Sequence, residues 1–406
     1  MSKLEQLINE LCPNGVEFKK IKNSYTRIKG TPITAGKMKE IASDDGEIKI
    51  FAGGKTVITA HEADIPNANI TRVPAVLVQS RGVIDAVYYD KPFTFKNEMW
   101  AYTADNPIKV KYLYYVLKNN IEHFREAASG MGSLPQISLR VTEDFIIPLP
   151  PLPVQEEIVR ILDKFTELTT ELTTELTTEL TARKQQYEYY SESLLNFKEE
   201  YDCKKIKLKE ICDIYLGLTA TPKYTNSGVK FISAQNTSKD FLDLENVKYI
   251  SEIDYAKATS NAKPKRGDIL FTRVGSNLGH PVIIDTDEKL CIFVSLGFLR
   301  IKNKNIVSNS YLKHWMNTDL FWSQVRKKVF GAAKVNLNTG WLKEFELTLP
   351  PIDIQEKIVN HLDCFEKYFN FLYDDLSLEI EARQKQYEYY RDKLLTFKKK
   401  EAAENE

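Results

Sequence analysis

Several short apolar runs in this 406-residue chain end on side chains that can hydrogen-bond a planar partner at two points. "AVLVQSRG" carries Gln79, Ser80 and Arg81 out to a turn, and "GDILFTRVGSNLG" carries Thr272, Arg273, Ser276 and Asn277 in the same way. "FISAQNTSK" ends in the amides of Gln235 and Asn236. Two later loops, "SGMGSLPQISLR" and "FGAAKVNLN", add Gln136, Arg140, Lys334 and Asn336. An arginine fork fits guanine O6 and N7, and a Gln or Asn amide fits adenine N6 and N7. Basic and amide groups on loops also hold phosphates, which position a protein without reading sequence. Lys37, Lys55, Arg72 and Lys223 complete the candidate DNA contacts. Any one of these residues also suits an ordinary polar loop. The pattern gains weight by recurring in both halves of the chain.

Other chemistries lack their residues. "AGGKT" resembles the end of a phosphate-binding loop, but Lys49 stands where that loop needs its first glycine. His61, His123, His280, His314 and His361 are isolated in sequence, with no HxxxH pair, so no metal site is expected. No GxSxG offers a nucleophile, and "DDGEIK" lacks the apolar strand that precedes the first carboxylate of a metal-dependent nuclease. No glycine-rich strand-to-helix turn suggests adenosylmethionine or dinucleotide binding. The five scattered cysteines suggest reduced thiols in a cytoplasmic protein. No apolar run approaches a bilayer span, and the N-terminus lacks a signal-peptide core.

The elements that carry these loops are set out by an internal repeat. "LPPLPVQEEIVRILDKF" from Leu149 returns as "LPPIDIQEKIVNHLDCF" from Leu349, and "ARKQQYEYYSESLLNFK" returns as "ARQKQYEYYRDKLLTFK". From 149 to 198, 24 of the 50 positions are identical to those 200 residues later. Weaker echoes link "VEFKKIK" to "YDCKKIK", and "GTP" at Gly30 to "ATP" at Ala220. Each repeated segment predicts one long helix after a proline break, with apolar residues at three- and four-residue spacing. Two such helices have each other as the natural cover for their stripes, in an antiparallel pair with pseudo-twofold symmetry. A coiled coil between two copies of the chain is the competing arrangement.

The organisation read from this is a helical stub (1–12), a globular unit (13–148), a helix (149–200), a second unit (201–348), a second helix (349–398) and a tail (399–406). The net charge of zero hides a split: +3 and +8 on the globular units, −6 and −4 on the segments 149–200 and 349–406. Phosphate-binding surfaces therefore belong on the globular units.

Taken together, the doubled "LPP…QE.IV..LD.F" and "QYEYY" motifs resemble the specificity subunits of type I restriction-modification enzymes. The tandem TELT units from Thr166 to Thr181 are similar to the TAEL-type repeat of the IC subclass. "GTPIT", "TPKYT" and the "GDIL…G" stretch fit that family's target recognition domains. The resemblance implies an α+β chain: two pseudo-twofold-related mixed α/β recognition domains separated by two long antiparallel coiled-coil helices. It also implies a non-catalytic DNA reader of an asymmetric, bipartite site. The helices would set the spacer and dock two methyltransferase subunits, and two motor-nuclease subunits would join them. S-adenosylmethionine, ATP and magnesium would sit on those partners and not on this chain. A coiled-coil interaction protein whose units bind something other than DNA is the alternative.

The TELT tract raises its own expectation. Threonine is a weak helix former, and Glu167, Glu171, Glu175 and Glu179 repel at i,i+4. The tract stays helical only with Leu168, Leu172, Leu176 and Leu180 covered. Phe165, Tyr187 and Tyr190 on this helix, and Phe365, Leu372, Leu376, Tyr387 and Tyr390 on the other, are the expected pairing and docking positions. A disordered linker is the competing reading of the tract.

Overall fold

In the computed structural model of the chain, the structure describes residues 2–54, 56–129, 134–196, 203–274, 277–329 and 336–400. The chain divides into two compact units, Met1–Leu176 with Leu378–Glu406, and Thr177–Ser377. Each unit thus holds one globular domain, the first half of one long helix and the second half of the other. Among the described residues, no helix is long and apolar enough to cross a membrane.

The first unit contains β1 (Glu17–Lys20), β2 (Thr26–Lys29), β3 (Ile48–Phe51), β4 (Val57–Ala60), β5 (Ala75–Gln79), β6 (Asp85–Tyr89), β7 (Phe93–Phe95), β8 (Trp100–Thr103) and β9 (Ile146–Leu149). An antiparallel sheet runs β2-β8-β5-β6, a mixed sheet runs β4-β3-β7, and β1 pairs with β9. The outer strands β2 and β6 keep mostly exposed or half-buried residues, but β5 is buried at every residue from Ala75 to Gln79. A strand covered on both faces reads as a continuous apolar run, as this one does.

The second unit repeats this plan. Its strands are β10 (Lys204–Lys207), β11 (Cys212–Leu216), β12 (Tyr224–Thr225), β13 (Val229–Ile232), β14 (Lys248–Ile250), β15 (Ile269–Thr272), β16 (Pro281–Ile283), β17 (Leu290–Ile292), β18 (Leu296–Ile301) and β19 (Glu346–Leu349). The orders are β11-β18-β15-β16, β12-β14-β13-β17 and β10-β19, so only β12 is added. The echo of "GTP" with "ATP" is corrected by three residues. A Cβ on Gly30 would lie 2.2 Å from the Phe95 carbonyl oxygen, and one on Gly217 would lie 2.1 Å from that of Phe293. Gly217, not Ala220, fills the seat, because both positions sit where two backbones touch.

The two long helices are Leu152–Leu195 and Ile352–Leu395, 44 residues each. The "PP…QE" motif has a physical basis. Pro150 and Pro350 end β9 and β19 with a carbonyl that no ladder takes up, and the Gln five residues later supplies the donor. Gln155 Nε2 lies 2.7 Å from the Pro150 oxygen, and Gln355 Nε2 lies 2.8 Å from that of Pro350. Next on the same faces, Val154, Ile158 and Leu162 enter the first unit's core beside Leu395. Ile358 and Leu362 enter the second unit's core beside Leu195.

Within each unit the helix halves run antiparallel. In the first, Phe165 stacks on Tyr390 and the Thr166 hydroxyl lies 3.2 Å from that of Tyr387. In the second, Tyr190 stacks on Phe365 and Tyr187 on Phe369. The TELT tract is helical throughout, yet its leucines are only half covered: Leu168 is 47% exposed, and Leu172, Leu176 and Leu180 are intermediate. Full burial is beyond a two-helix ribbon, which shields one side of each helix. The threonine hydroxyls are satisfied within the helix itself. Thr166, Thr170, Thr173, Thr174 and Thr181 each donate their hydroxyl to the carbonyl four residues earlier, at 2.7–2.8 Å.

Candidate nucleic-acid interface

The candidate loops sit at corresponding places in the two domains, and backbone pairing fixes their register. Past the end of β5, the Ile137 amide donates to the Ser80 carbonyl at 3.0 Å. Past the end of β15, the Leu337 amide donates to the Arg273 carbonyl at 3.0 Å. One step further, Arg81 bridges Gln136 and Val274 bridges Asn336, both antiparallel. Ile137 and Leu337 are 200 residues apart, as in the helices. Arg273 is therefore the counterpart of Ser80, and Val274 that of Arg81.

This register separates the inward residues from the outward ones. Gln79 is buried, with its amide nitrogen 3.1 Å from the Gly54 carbonyl, and Ser80 donates its hydroxyl to Glu98 O at 2.5 Å. Thr272 is buried, and Arg273 is 9% exposed. The Arg273 guanidinium donates to the carbonyls of Val294 (3.1 Å) and Leu337 (3.4 Å), and burial lowers its pKa from the ordinary value. Asn236 is buried and donates to the carbonyls of Asp243 and Asn246. Four of these side chains, Gln79, Ser80, Arg273 and Asn236, are tied to backbone carbonyls that a base contact would release, while Thr272 is buried with its hydroxyl unpartnered among the described residues. Burial sets these five expected DNA contacts apart from the candidates that are exposed.

Two further candidates are held by acids. Arg72 reaches Glu62 at 2.6 Å and Lys37 reaches Glu40 at 2.8 Å, pairs exposed enough to exchange for phosphate. The remaining described candidates point outward with no hydrogen bond or ion pair on their side chains among the described residues: Arg81, Gln136 and Arg140 in the first unit, and Lys223, Gln235, Asn277 and Asn336 in the second. Lys55, Ser276 and Lys334 lie outside the described residues.

Sequence reading missed one cluster. His314, isolated in sequence, is buried with Nε2 2.8 Å from Asp363, and Glu366 lies beside them. These three groups could hold a metal ion, but Lys313 already reaches both Glu366 oxygens at 2.9 and 3.2 Å. The arrangement is a pinned joint between domain and helix. In the first unit, Tyr115 and Lys111 hold Asp163 in the same manner, at 2.6 and 2.7 Å.

A second class of surface lies along the helices. Tyr189, Tyr368, Phe371, Tyr373, Leu378 and Tyr389 are each more than half exposed. Five of these six residues are aromatic, the type enriched where protein surfaces meet.

Two similar α/β domains, each packed on halves of two long helices and each with outward basic and amide side chains, define a class: a tandem-domain binding protein whose domains are joined by long helices. The profile described as the type I restriction modification DNA specificity domain matches the chain twice, over residues 17–182 and 200–382. The chain belongs to this family. It is 31% identical over 383 residues to the Escherichia coli type I restriction enzyme EcoR124I/EcoR124II specificity subunit, covering 89% of this chain and 90% of that one. It is 34% identical over 314 residues to a putative type I restriction enzyme specificity subunit of Haemophilus influenzae, covering 75% and 77%. A chain solved in a study of complex assembly and conformational transition of the type I R-M system shares the fold, with TM-score 0.68, 15% identity and coverage of 94% and 98%. The protein thus has a DNA sequence-specificity role in restriction-modification and is the non-catalytic part of that enzyme. Specificity subunits of such systems bind DNA and assemble with methylase and restriction subunits.

Proposed function

We propose that each domain reads one half of an asymmetric, bipartite DNA site, and that the paired helices set the spacing between the halves. The observation that carries this reading is the shared register at Ser80 and Arg273. The same backbone seat recurs in both domains with different outward residues, Arg81 with Gln136 in one and Val274 with Asn336 in the other. Two frames of one design with unlike side chains suit two unlike half-sites.

The exposed aromatic residues of the helices are the docking surface for two methyltransferase subunits, which methylate adenine from S-adenosylmethionine. Two motor-nuclease subunits, using ATP and magnesium, complete the assembly. This chain carries none of these cofactors, and it works in the cytoplasm, where the chromosome is. The test is binding of the chain with its methyltransferase to a randomised duplex pool at several salt concentrations. A steep salt dependence and one enriched bipartite sequence are expected. Equal affinity for every sequence refutes the reading.

A further inference from the structure

We propose that Arg81 and Gln136 form a base-reading dyad aimed at one guanine-containing step in the major groove, and that Val274 and Asn336 are its counterpart in the second domain. The proposal rests on the DNA-reading role above and assigns the residues that set specificity within it.

The geometry comes from the backbone. Gly82 N donates to Pro135 O at 2.9 Å, and Ile137 N donates to Ser80 O at 3.0 Å. These bonds flank the Arg81–Gln136 bridge, so the two residues form a non-hydrogen-bonded antiparallel pair. Cα atoms in such pairs are about 4.5 Å apart, with both side chains on the same face. Both are exposed, while Gln79, Ser80 and Ile137 beside them are buried. The dyad therefore stands on a fixed base, which a reading group needs.

The second argument is the state of Arg81. Of the chain's thirteen arginines, Arg81 and Arg140 alone engage no acid, carbonyl, amide or ring with their side chains among the described residues. Arg81 reaches a base edge without leaving a carboxylate behind. Space is also provided: Gly54 donates its amide to Arg81 O at 3.0 Å, and a Cβ on Gly54 would meet nothing within 4 Å. A glycine with φ +74 there keeps the flank of the dyad open.

Chemistry then assigns the step. Arg81 offers the fork for guanine O6 and N7, and Gln136 alongside offers donor and acceptor to an adjoining adenine. Val274 in the matching seat has no donor and suits only an apolar contact such as a thymine methyl, while Asn336 keeps the amide. The two half-sites therefore differ at this step.

The experiment uses the full chain with its methyltransferase, on a duplex library randomised at every position, with methylated sequences read out. For Arg81→Ala, discrimination at one base pair of one half-site falls about 5- to 150-fold, while the other half-site and the spacer stay fixed. Val274→Arg with Asn336→Gln installs a guanine preference at the corresponding step of the other half-site, a gain that misfolding cannot imitate. An unchanged consensus in both variants overturns the dyad. So does an Arg81→Ala loss spread evenly over all sequences, which is the mark of a phosphate contact. A wild-type protein with no preference anywhere refutes the DNA-reading role, and the dyad falls with it.

Discussion

The ring of Phe165 lies 5.8 Å from that of Tyr390 and 9° from parallel. Phe365 and Tyr190, each 200 residues away from one of that pair, stack at 5.7 Å and 6°. The same two residue types meet in both units with exchanged helices, as an antiparallel pair of repeats requires. Offset stacks of this kind contribute about 0.5–1.5 kcal/mol beyond burial. Tyr390 is 39% exposed, so the lower half of that range is expected. A double-mutant cycle of Phe165→Ala and Tyr390→Ala in denaturant unfolding should give a coupling of about 0.5–1 kcal/mol. A coupling of zero means that the rings merely lie side by side.

Gln355 holds more than its counterpart. It is fully buried, donates to Pro350 O and Ile306 O, and accepts from Ser308 N at 3.0 Å. Gln155 donates to Pro150 O, while its own oxygen has no partner among the described residues. Replacing Gln355 by Leu orphans three backbone groups and should cost about 2–4 kcal/mol; Gln155→Leu should cost about 1. Thermal unfolding of the two variants checks the order, and equal losses would contradict it.

Acid should act on the first unit through Glu157. Its side chain is 4% exposed and lies 2.7 Å from Arg160 and 3.1 Å from Lys3. Those cations, Arg160 first, hold its carboxyl down at about 2, against burial, which raises it. A depressed carboxylate contributes stability above its unfolded value of about 4.5, and this is lost as pH falls through the folded value. Because both cations are largely exposed, the contribution is about 1 kcal/mol. Between pH 4.5 and 2 the wild type should lose more stability than Glu157→Gln, by that amount. Parallel acid limbs would refute this.

Arg140 should behave unlike Arg81. It projects from the short helix Leu139–Glu143 with no described partner and no cross-strand neighbour to share a base step. As a phosphate contact, its removal weakens binding evenly across sequences and lowers the salt slope by about 0.9. Filter binding of Arg140→Ala at several salt concentrations measures both. A change in preferred sequence would make it a reader.

What the sequence disclosed was local. The helices, their proline starts and the 200-residue offset follow from spacing along the chain, and the tandem domains follow from the same offset. The facing of Gln79, Ser80 and Arg81 was not legible, because strand alternation ends at the turn. It is decided by pairing with a segment more than fifty residues away. The same holds for Arg273, whose sequence context resembles that of Arg81 while its backbone seat is that of Ser80. His314 escaped notice because Asp363 and Glu366 reach it from a different element.

The TELT tract gives the sharpest test of the helices as a measure. The helix is continuous from Leu152 to Leu195, and the threonines bond in steps of four, from Thr170 to Thr166 and from Thr174 to Thr170. Deleting Thr170 to Thr173 therefore leaves the local pattern intact, with Thr174 moved to four residues after Thr166 and Thr177 to four after Thr169. The segment between Phe165 and Tyr190 shortens by about 6 Å, while the segment between Phe365 and Tyr390 keeps its length. The two aromatic stacks can no longer both keep their register. One base pair rises about 3.4 Å, and the helices need not lie along the duplex, so the recognised spacer should change by one or two base pairs with both half-sites unchanged. Methylome mapping of cells carrying the deletion reads this directly. An unchanged spacer would mean that the helices hold the methyltransferase without measuring the DNA.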